Sequence, residues 1–135
     1  MSQSPRPVRV TLDAALVERF ESLASAAMER FPEAAYPLVT KLSRARLVAA
    51  SKLPDDCVTI GSNVSYQDER TGRAQQVTLV LPEQADISRG LVSVLTPVGV
   101  ALLGLRPGNR VRWETRAGEE RALSVLAVAR DSAEV

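Results

Sequence analysis

The sequence predicts an α+β chain: a short antiparallel helical hairpin, then a small antiparallel sheet carrying one short helix. Three observations predict it. Before Leu53 apolar residues recur at three- and four-residue steps, and after Pro54 they fall into short runs of branched and aromatic residues divided by turn signals. Between two of those runs lies a compact apolar segment with a helix start and a helix stop of its own.

Thr11 reads as an N-cap with Asp13 in the first turn, where the exposed N–H groups favour negative charge. Leu12, Leu16, Phe20, Leu23 and Ala27 then form one stripe of a helix ending near Arg30. Phe31-Pro32 interrupts it, because proline disfavours helical backbone in the residue before it. A second helix is expected to begin near Pro37, where a missing N–H is tolerated, with Leu38, Leu42, Ala45 and Ala49 as its matching stripe. A short loop between two such helices makes an antiparallel, coiled-coil-like hairpin, and arms of about 15 residues reach about 22 Å.

The aperiodic stretch 51–56, with Pro54 inside it, is the natural linker, dividing the chain into units 1–53 and 54–135. Strands of an antiparallel sheet are expected at 58–60, 64–66, 77–81, 91–95, 111–113 and 123–128. Turns at 68–72, 88–90, 107–109 and 117–119 separate them, each carrying glycine. Between the fourth and fifth strands, Thr96 offers an N-cap hydroxyl, Pro97 suits the first helical position and Gly104 sits where a C-cap would, which predicts one short buried helix.

Composition narrows the chemistry. A chain of 135 residues with 45% hydrophobic content can bury one modest core plus an appendage. The N-terminus shows no export signal and no apolar run approaches the ~20 residues of a membrane span, so a soluble cytoplasmic protein is expected. Cys57 stands alone and reads as a buried structural thiol. The absence of histidine removes the commonest neutral-pH general base and zinc ligand, so triads that use it are impossible, and with a single cysteine no cofactor or metal site is expected. Net charge is +1, split as +3 over residues 1–53 and −2 over 54–135, too even for a nucleic-acid footprint.

The segment Leu91-Val92-Ser93-Val94-Leu95-Thr96-Pro97-Val98-Gly99-Val100-Ala101-Leu102-Leu103-Gly104-Leu105-Arg106-Pro107-Gly108 resembles the signature of the Gre transcript cleavage factor C-terminal domain. That signature has a Ser-Pro, a small apolar Ala-Leu-Leu-Gly helix and a Gly-Asp turn. Upstream, Val58-Thr59-Ile60-Gly61-Ser62-Asn63-Val64, Asp68 and Thr78-Leu79-Val80 fall in the expected order. The short N-terminal part, Pro97-Val98-Gly99 and Trp113 look most like the nucleoside diphosphate kinase regulators of that superfamily, as does the stretch from Leu38, Leu42, Arg44 and Ala45 to Leu53-Pro54-Asp55.

The resemblance implies an FKBP-like C-terminal domain that docks on bacterial RNA polymerase at the rim of its secondary channel, with the hairpin directed toward that channel. Thr96 and Pro97 become candidate polymerase contacts, although locally they are also simply a good helix start. Thr96 adds a methyl to the family-type serine, and Asn109 stands where the family turn is acidic. Gre factors carry a longer coil whose acidic tip helps to hold a metal ion, for which hard oxygen ligands are suited. Here the expected tip, Glu29, Arg30, Phe31 and Glu33, has two separated acids around an arginine and no adjacent pair. The true pairs, Asp55-Asp56, Asp68-Glu69 and Glu119-Glu120, read as solvated turn chemistry. A monomeric regulator that occupies the polymerase without cleavage, making no specific nucleic-acid or membrane contact, is the expected function.

Other readings stand beside it. Lys41 and Arg44 read as a solvated helix face, with contact to RNA or an acidic surface as the alternative. Phe31 could enter a partner groove or fold back on the hairpin. An FKBP-like prolyl isomerase needs several aromatics around its substrate ring, and the C-terminal unit offers Tyr66 and Trp113, whose alternation with charged neighbours turns the Trp113 ring toward the core. Direct regulation of nucleoside diphosphate kinase is a further alternative with no identifying surface in the sequence.

Overall fold

The computed structural model describes residues 9–130. The outer ends of both expected units, and the N-terminal residues from which the absence of an export signal was read, lie outside the described residues. The chain opens with a strand, β1 (Thr11–Asp13), followed by a 3-10 turn (Ala14–Leu16) and helix α1 (Val17–Ala27). Thr11 is therefore not the N-cap. Val10 and Leu12 alternate into the core, and their backbone pairs in parallel with β2 (Arg46–Val48), Leu12 opposite Leu47. Asp13 instead caps the 3-10 turn that leads into α1, its Oδ1 accepting from Ala15 N at 2.9 Å.

Helix α2 (Pro32–Arg44) starts five residues before Pro37, the expected start. Phe31 is non-helical at φ −134°, as the residue before a proline should be, and Pro32 rather than Pro37 takes the first-turn position. Pro37 sits within the helix, where it lacks the N–H that would reach the carbonyl of Glu33. The buried stripe accordingly begins at Ala34 and Ala35 and continues through Leu38. Arms of 11 and 13 residues span roughly 16 and 20 Å.

The second sheet has the order β5-β4-β3-β7-β6, from β3 (Ser62–Asp68), β4 (Ala74–Val80), β5 (Leu91–Ser93), β6 (Arg110–Glu114) and β7 (Glu120–Arg130). It is mixed rather than wholly antiparallel: β5 runs parallel to β4, with Thr78 opposite Leu91. Two 3-10 turns, Pro82–Gln84 and Ile87–Arg89, and a left-handed Gly90 return the chain to the same end of β4, where a tight hairpin would have reversed it. The β3–β7 register slips between Ser65 and Tyr66, which leaves Leu126 unpaired and half exposed on the outer face.

Residues 58–60 do not form the expected strand. Val58 N donates to Leu105 O and Val58 O accepts from Gly104 N, both at 2.9 Å, but the chain then turns through Gly61, with Thr59 N donating to Ser62 Oγ at 2.9 Å. The apolar run is there because Val58 is wholly buried. The linker is also pinned: Leu53 is buried, Arg106 Nε donates to Asp56 at 2.9 Å and Arg130 Nη2 donates to Pro54 O at 3.0 Å.

Helix α3 (Pro97–Leu102) falls where the sequence placed it. Val64, Leu79, Leu123 and Val125 of the sheet, Val100, Leu102 and Leu103 around α3, and Phe20, Ala24, Ala34 and Leu38 of the hairpin share one apolar core. The hairpin thus lies on α3 by its inner face. Trp113 and Tyr66 pack at the edge of this core. No helix among the described residues is long and apolar enough to cross a membrane.

Candidate functional site

The site begins at the start of α3. Thr96 Oγ1 accepts from Gly99 N at 3.0 Å and donates to Ser93 O at 2.8 Å, while Ser93 Oγ accepts from Leu95 N at 2.9 Å. Two hydroxyls and a proline ring therefore fix the turn between β5 and α3. Leu95, Thr96, Pro97 and Val98 are only half-buried, so one side of this rigid turn faces solvent. Close approach is enforced by Gly99, where an added Cβ would lie 2.1 Å from Ser93 O. Replacing Thr96 by alanine is expected to lower stability by about 1 kcal/mol in urea unfolding, and by serine to leave the midpoint nearly unchanged. Equal losses in both would mean that the methyl rather than the hydroxyl matters.

The other end of α3 holds a residue the sequence misplaced. Lys41 points inward, its Nζ donating to Val100 O at 2.6 Å, Ala101 O at 3.0 Å and Leu103 O at 2.8 Å. These carbonyls lack the usual backbone donors, because Gly104 N turns to Val58 O and Leu105 N to Leu102 O. Lys41 is therefore a side-chain cap that ties α2 to α3. Burial pushes its ammonium down to about 7, with Cys57 opposing the fall. Arg44, three residues on, is exposed as expected.

Cys57 is wholly buried, its Sγ 3.2 Å from Thr11 O, and burial pushes the thiol pKa up, which keeps it protonated and inert. After α3 the chain turns through residues 106–109. Asn109 Oδ1 accepts from Arg106 N at 2.9 Å, so the amide supplies the acceptor that a carboxylate would supply there, without its charge.

Glu29, Arg30 and Phe31 are exposed together on the turn between the helices, with the Arg30 guanidinium 5.5 Å from the Phe31 ring centroid. Glu33 departs from them. Its Oε1 lies 3.9 Å from Arg116 Nη1 on the turn between β6 and β7. No hydrogen bond or ion pair among the described residues joins these tip residues to Thr96 or Pro97.

The three acidic pairs are not free carboxylates but partners of arginine. Asp56 meets Arg106 at 2.9 Å, Asp55 meets Arg130 at 3.7 Å, Asp68 meets Arg121 at 3.0 Å and Glu69 meets Arg110 at 2.6 Å. Glu119 meets Arg70 at 3.0 Å and Glu120 meets Arg112 at 2.8 Å. The Ser124 hydroxyl and then Arg110 hold the Glu69 carboxyl below its ordinary value. Pairs near the surface hold two long side chains in one geometry under solvent screening, so they add little to stability. No group of three or more metal-capable side chains occurs among the described residues.

Residues 53–130 match the family model described as transcription elongation factor, GreA/GreB, C-term. The chain is 38% identical over 89 residues to the regulator of nucleoside diphosphate kinase of Escherichia coli (strain K12), covering 66% of this chain and 65% of that protein. It is 33% identical over 91 residues to transcription elongation factor GreA of Syntrophobacter fumaroxidans, covering 67% of this chain and 58% of the relative. The chain thus spans less than two thirds of the length of these curated relatives. Among solved structures, a prokaryotic transcription elongation factor GreA/GreB from Nitrosomonas europaea superposes with a TM-score of 0.71 at 30% identity, covering 91% of this chain and 99% of that one. With the matched region running from the buried Leu53 to the end of β7, the chain belongs to the GreA/GreB elongation-factor C-terminal family, and within it is similar to the regulators of nucleoside diphosphate kinase.

Proposed function

We propose that this chain is a non-catalytic transcription regulator that docks on bacterial RNA polymerase at the secondary-channel rim and competes there with Gre-type cleavage factors. The unit 54–135 is the docking module and carries an FKBP-like sheet curled over α3, and the unit 1–53 carries the stubby coiled-coil-like hairpin formed by α1 and α2. Thr96 and Pro97 form the contact point, because their turn is rigid, half-exposed and central to the matched region. The protein acts as a cytoplasmic monomer, with no specific nucleic-acid contact.

The observation that carries the reading is the hairpin tip. Glu29 is exposed without an acidic neighbour, and Glu33 faces Arg116, so the tip offers no clustered oxygen ligands for a hard cation. A module that occupies the rim without delivering metal lowers cleavage-factor occupancy in proportion to its concentration. In a binding assay with purified polymerase the chain is expected to be retained, and in a transcript-cleavage assay to reduce Gre-stimulated cleavage progressively as it is added. Absence of retention ends the reading; stimulation of cleavage by the chain itself ends the non-catalytic part.

One observation favours a second reading, direct action on nucleoside diphosphate kinase: the name of the 38%-identical relative. Co-migration of the two purified proteins on a sizing column is its expected result, and separate elution removes it.

A further inference from the structure

Strand β5 is one edge of the five-stranded sheet, and the chain on either side of it folds back over that edge. Gly90 O accepts from Thr78 N and Val94 N donates to Val80 O, so the backbone groups of Leu91 and Ser93, which alternate with these, face away from β4. Leu91 exchanges two hydrogen bonds with Asp86, both at 2.9 Å, and Ser93 O accepts from Thr96 Oγ1 at 2.8 Å. Two turns therefore stand on the same sheet edge, one at each end of a three-residue strand about 10 Å long. One is the turn of Thr96 and Pro97.

The other presents Ile87, which is 89% exposed, against 61% for Tyr36, the next most exposed large apolar side chain among the described residues. Its backbone is fixed. Asp86 Oδ1 accepts from Ser88 N at 3.1 Å and from Ser88 Oγ at 2.6 Å, Arg89 N donates to Asp86 O at 3.0 Å, and the left-handed Gly90 donates to Ile87 O at 3.0 Å. None of these bonds needs the Ile87 side chain, and the core does not use it. Polar residues form such a turn equally well, so the fold gives no reason for an isoleucine there. Branching at Cβ leaves χ1 few states, so covering this side chain freezes little motion. At the other turn Leu95, Pro97 and Val98 are half-buried, and apolar surface is thus exposed at both ends of β5.

We propose that Ile87 is a second anchor for RNA polymerase, seated in an apolar pocket of the same rim surface that receives Thr96 and Pro97. The inference rests on the proposed docking at Thr96 and Pro97 and adds to it the chemistry of the partner. A specific interface covers about 800 Å² of each protein, a patch roughly 30 Å across. A partner seated on Thr96 and Pro97 therefore reaches along β5 to Ile87, and a rigid apolar side chain within that footprint is matched by an apolar depression rather than by a polar one.

The test measures the Kd of the full chain for purified polymerase, read from its displacement of a labelled Gre-type cleavage factor. The wild type is expected to displace the factor. Ile87→Ser should raise its Kd about tenfold or more, the loss expected for one isoleucine side chain left in water. Ile87→Leu should stay close to the wild type, and all three proteins should share one thermal midpoint. Displacement by Ile87→Ser equal to that of the wild type would overturn the anchor while leaving the docking at Thr96 and Pro97 intact. A loss as large in Ile87→Leu would overturn it as well, because apolar contact would then not be what the partner reads. So would a lower midpoint in Ile87→Ser, which would make the side chain a part of the fold. Failure of the wild type itself to displace the factor would remove the rim docking and the anchor together.

Discussion

Gly99→Ala is expected to lower stability by about 3 kcal/mol or more, at the top of the range for adding one carbon to a packed interior. The methyl would lie 2.1 Å from Ser93 O and 2.9 Å from Val94 Cα. Both are backbone atoms, so no rotamer change can relieve the clash, and α3 must move away from β5. Thr96 would then lose its bond to Ser93 O, now 2.8 Å, and the apolar side chains of α3 would lose their seat in the core. For a chain of this size the loss corresponds to a fall of roughly 10 °C in thermal midpoint. Because the displaced turn is the proposed polymerase contact, retention by polymerase should fall even at temperatures where the variant stays folded. A variant that melts with the wild type would show that α3 does not rest on Ser93 and Val94.

That glycine was legible as part of a pattern, while its reason was not. The sequence shows Thr96, Pro97 and Gly104 as a helix start and stop, which are local signals, and the helix formed between them. It also shows where β3, β4, β6 and β7 run, because branched residues alternate there over enough positions to specify a face. What failed were decisions between distant partners. Leu12 satisfies a helical step from Leu16 and equally a strand step from Val10, and its pairing with Leu47 decided for the strand. Pro32 and Pro37 each suit a first helical turn, and burial of Ala34 and Ala35 on the core decided for the earlier one. Parallel pairing of β5 depended on how the 81–90 connection winds. At the candidate site, the tip residues Glu29, Arg30 and Phe31 sit on a turn as expected, but the Glu33–Arg116 contact joins residues far apart in sequence. Lys41 was the largest miss at the site. An i, i+3 pair of cations looks like a wet face, yet the Leu38 stripe carries Lys41 toward α3 with it. The one available hint was that α3 is short and ends just before Gly104 with carbonyls to satisfy.

Lys41→Met should therefore have its full cost, about 2 kcal/mol, above pH 10.5 and a smaller one at neutral pH, since Val100, Ala101 and Leu103 lose a shared donor while the side chain keeps its approximate volume. The pH dependence makes the assignment sharper. Burial lowers the Lys41 pKa from its ordinary 10.5 to about 7 in the folded protein. Between those values the unfolded chain binds a proton that the folded chain does not, so the contribution of Lys41 to stability rises with pH across that window. It is complete above 10.5 and is lost as the pH falls through about 7. Urea unfolding at a series of pH values should accordingly show the wild type gaining on Lys41→Met as the pH is raised from neutral. Cys57 and Tyr66, whose pKa values burial raises, are present in both proteins. A gap that stays constant or narrows would mean that the ammonium is as well solvated folded as unfolded, and that the hairpin is held to α3 by its apolar stripe alone. Were the gap to widen as expected, the seat of α2 on α3 would rest on the Lys41 cap as well as on the apolar stripe of Ala34, Ala35 and Leu38.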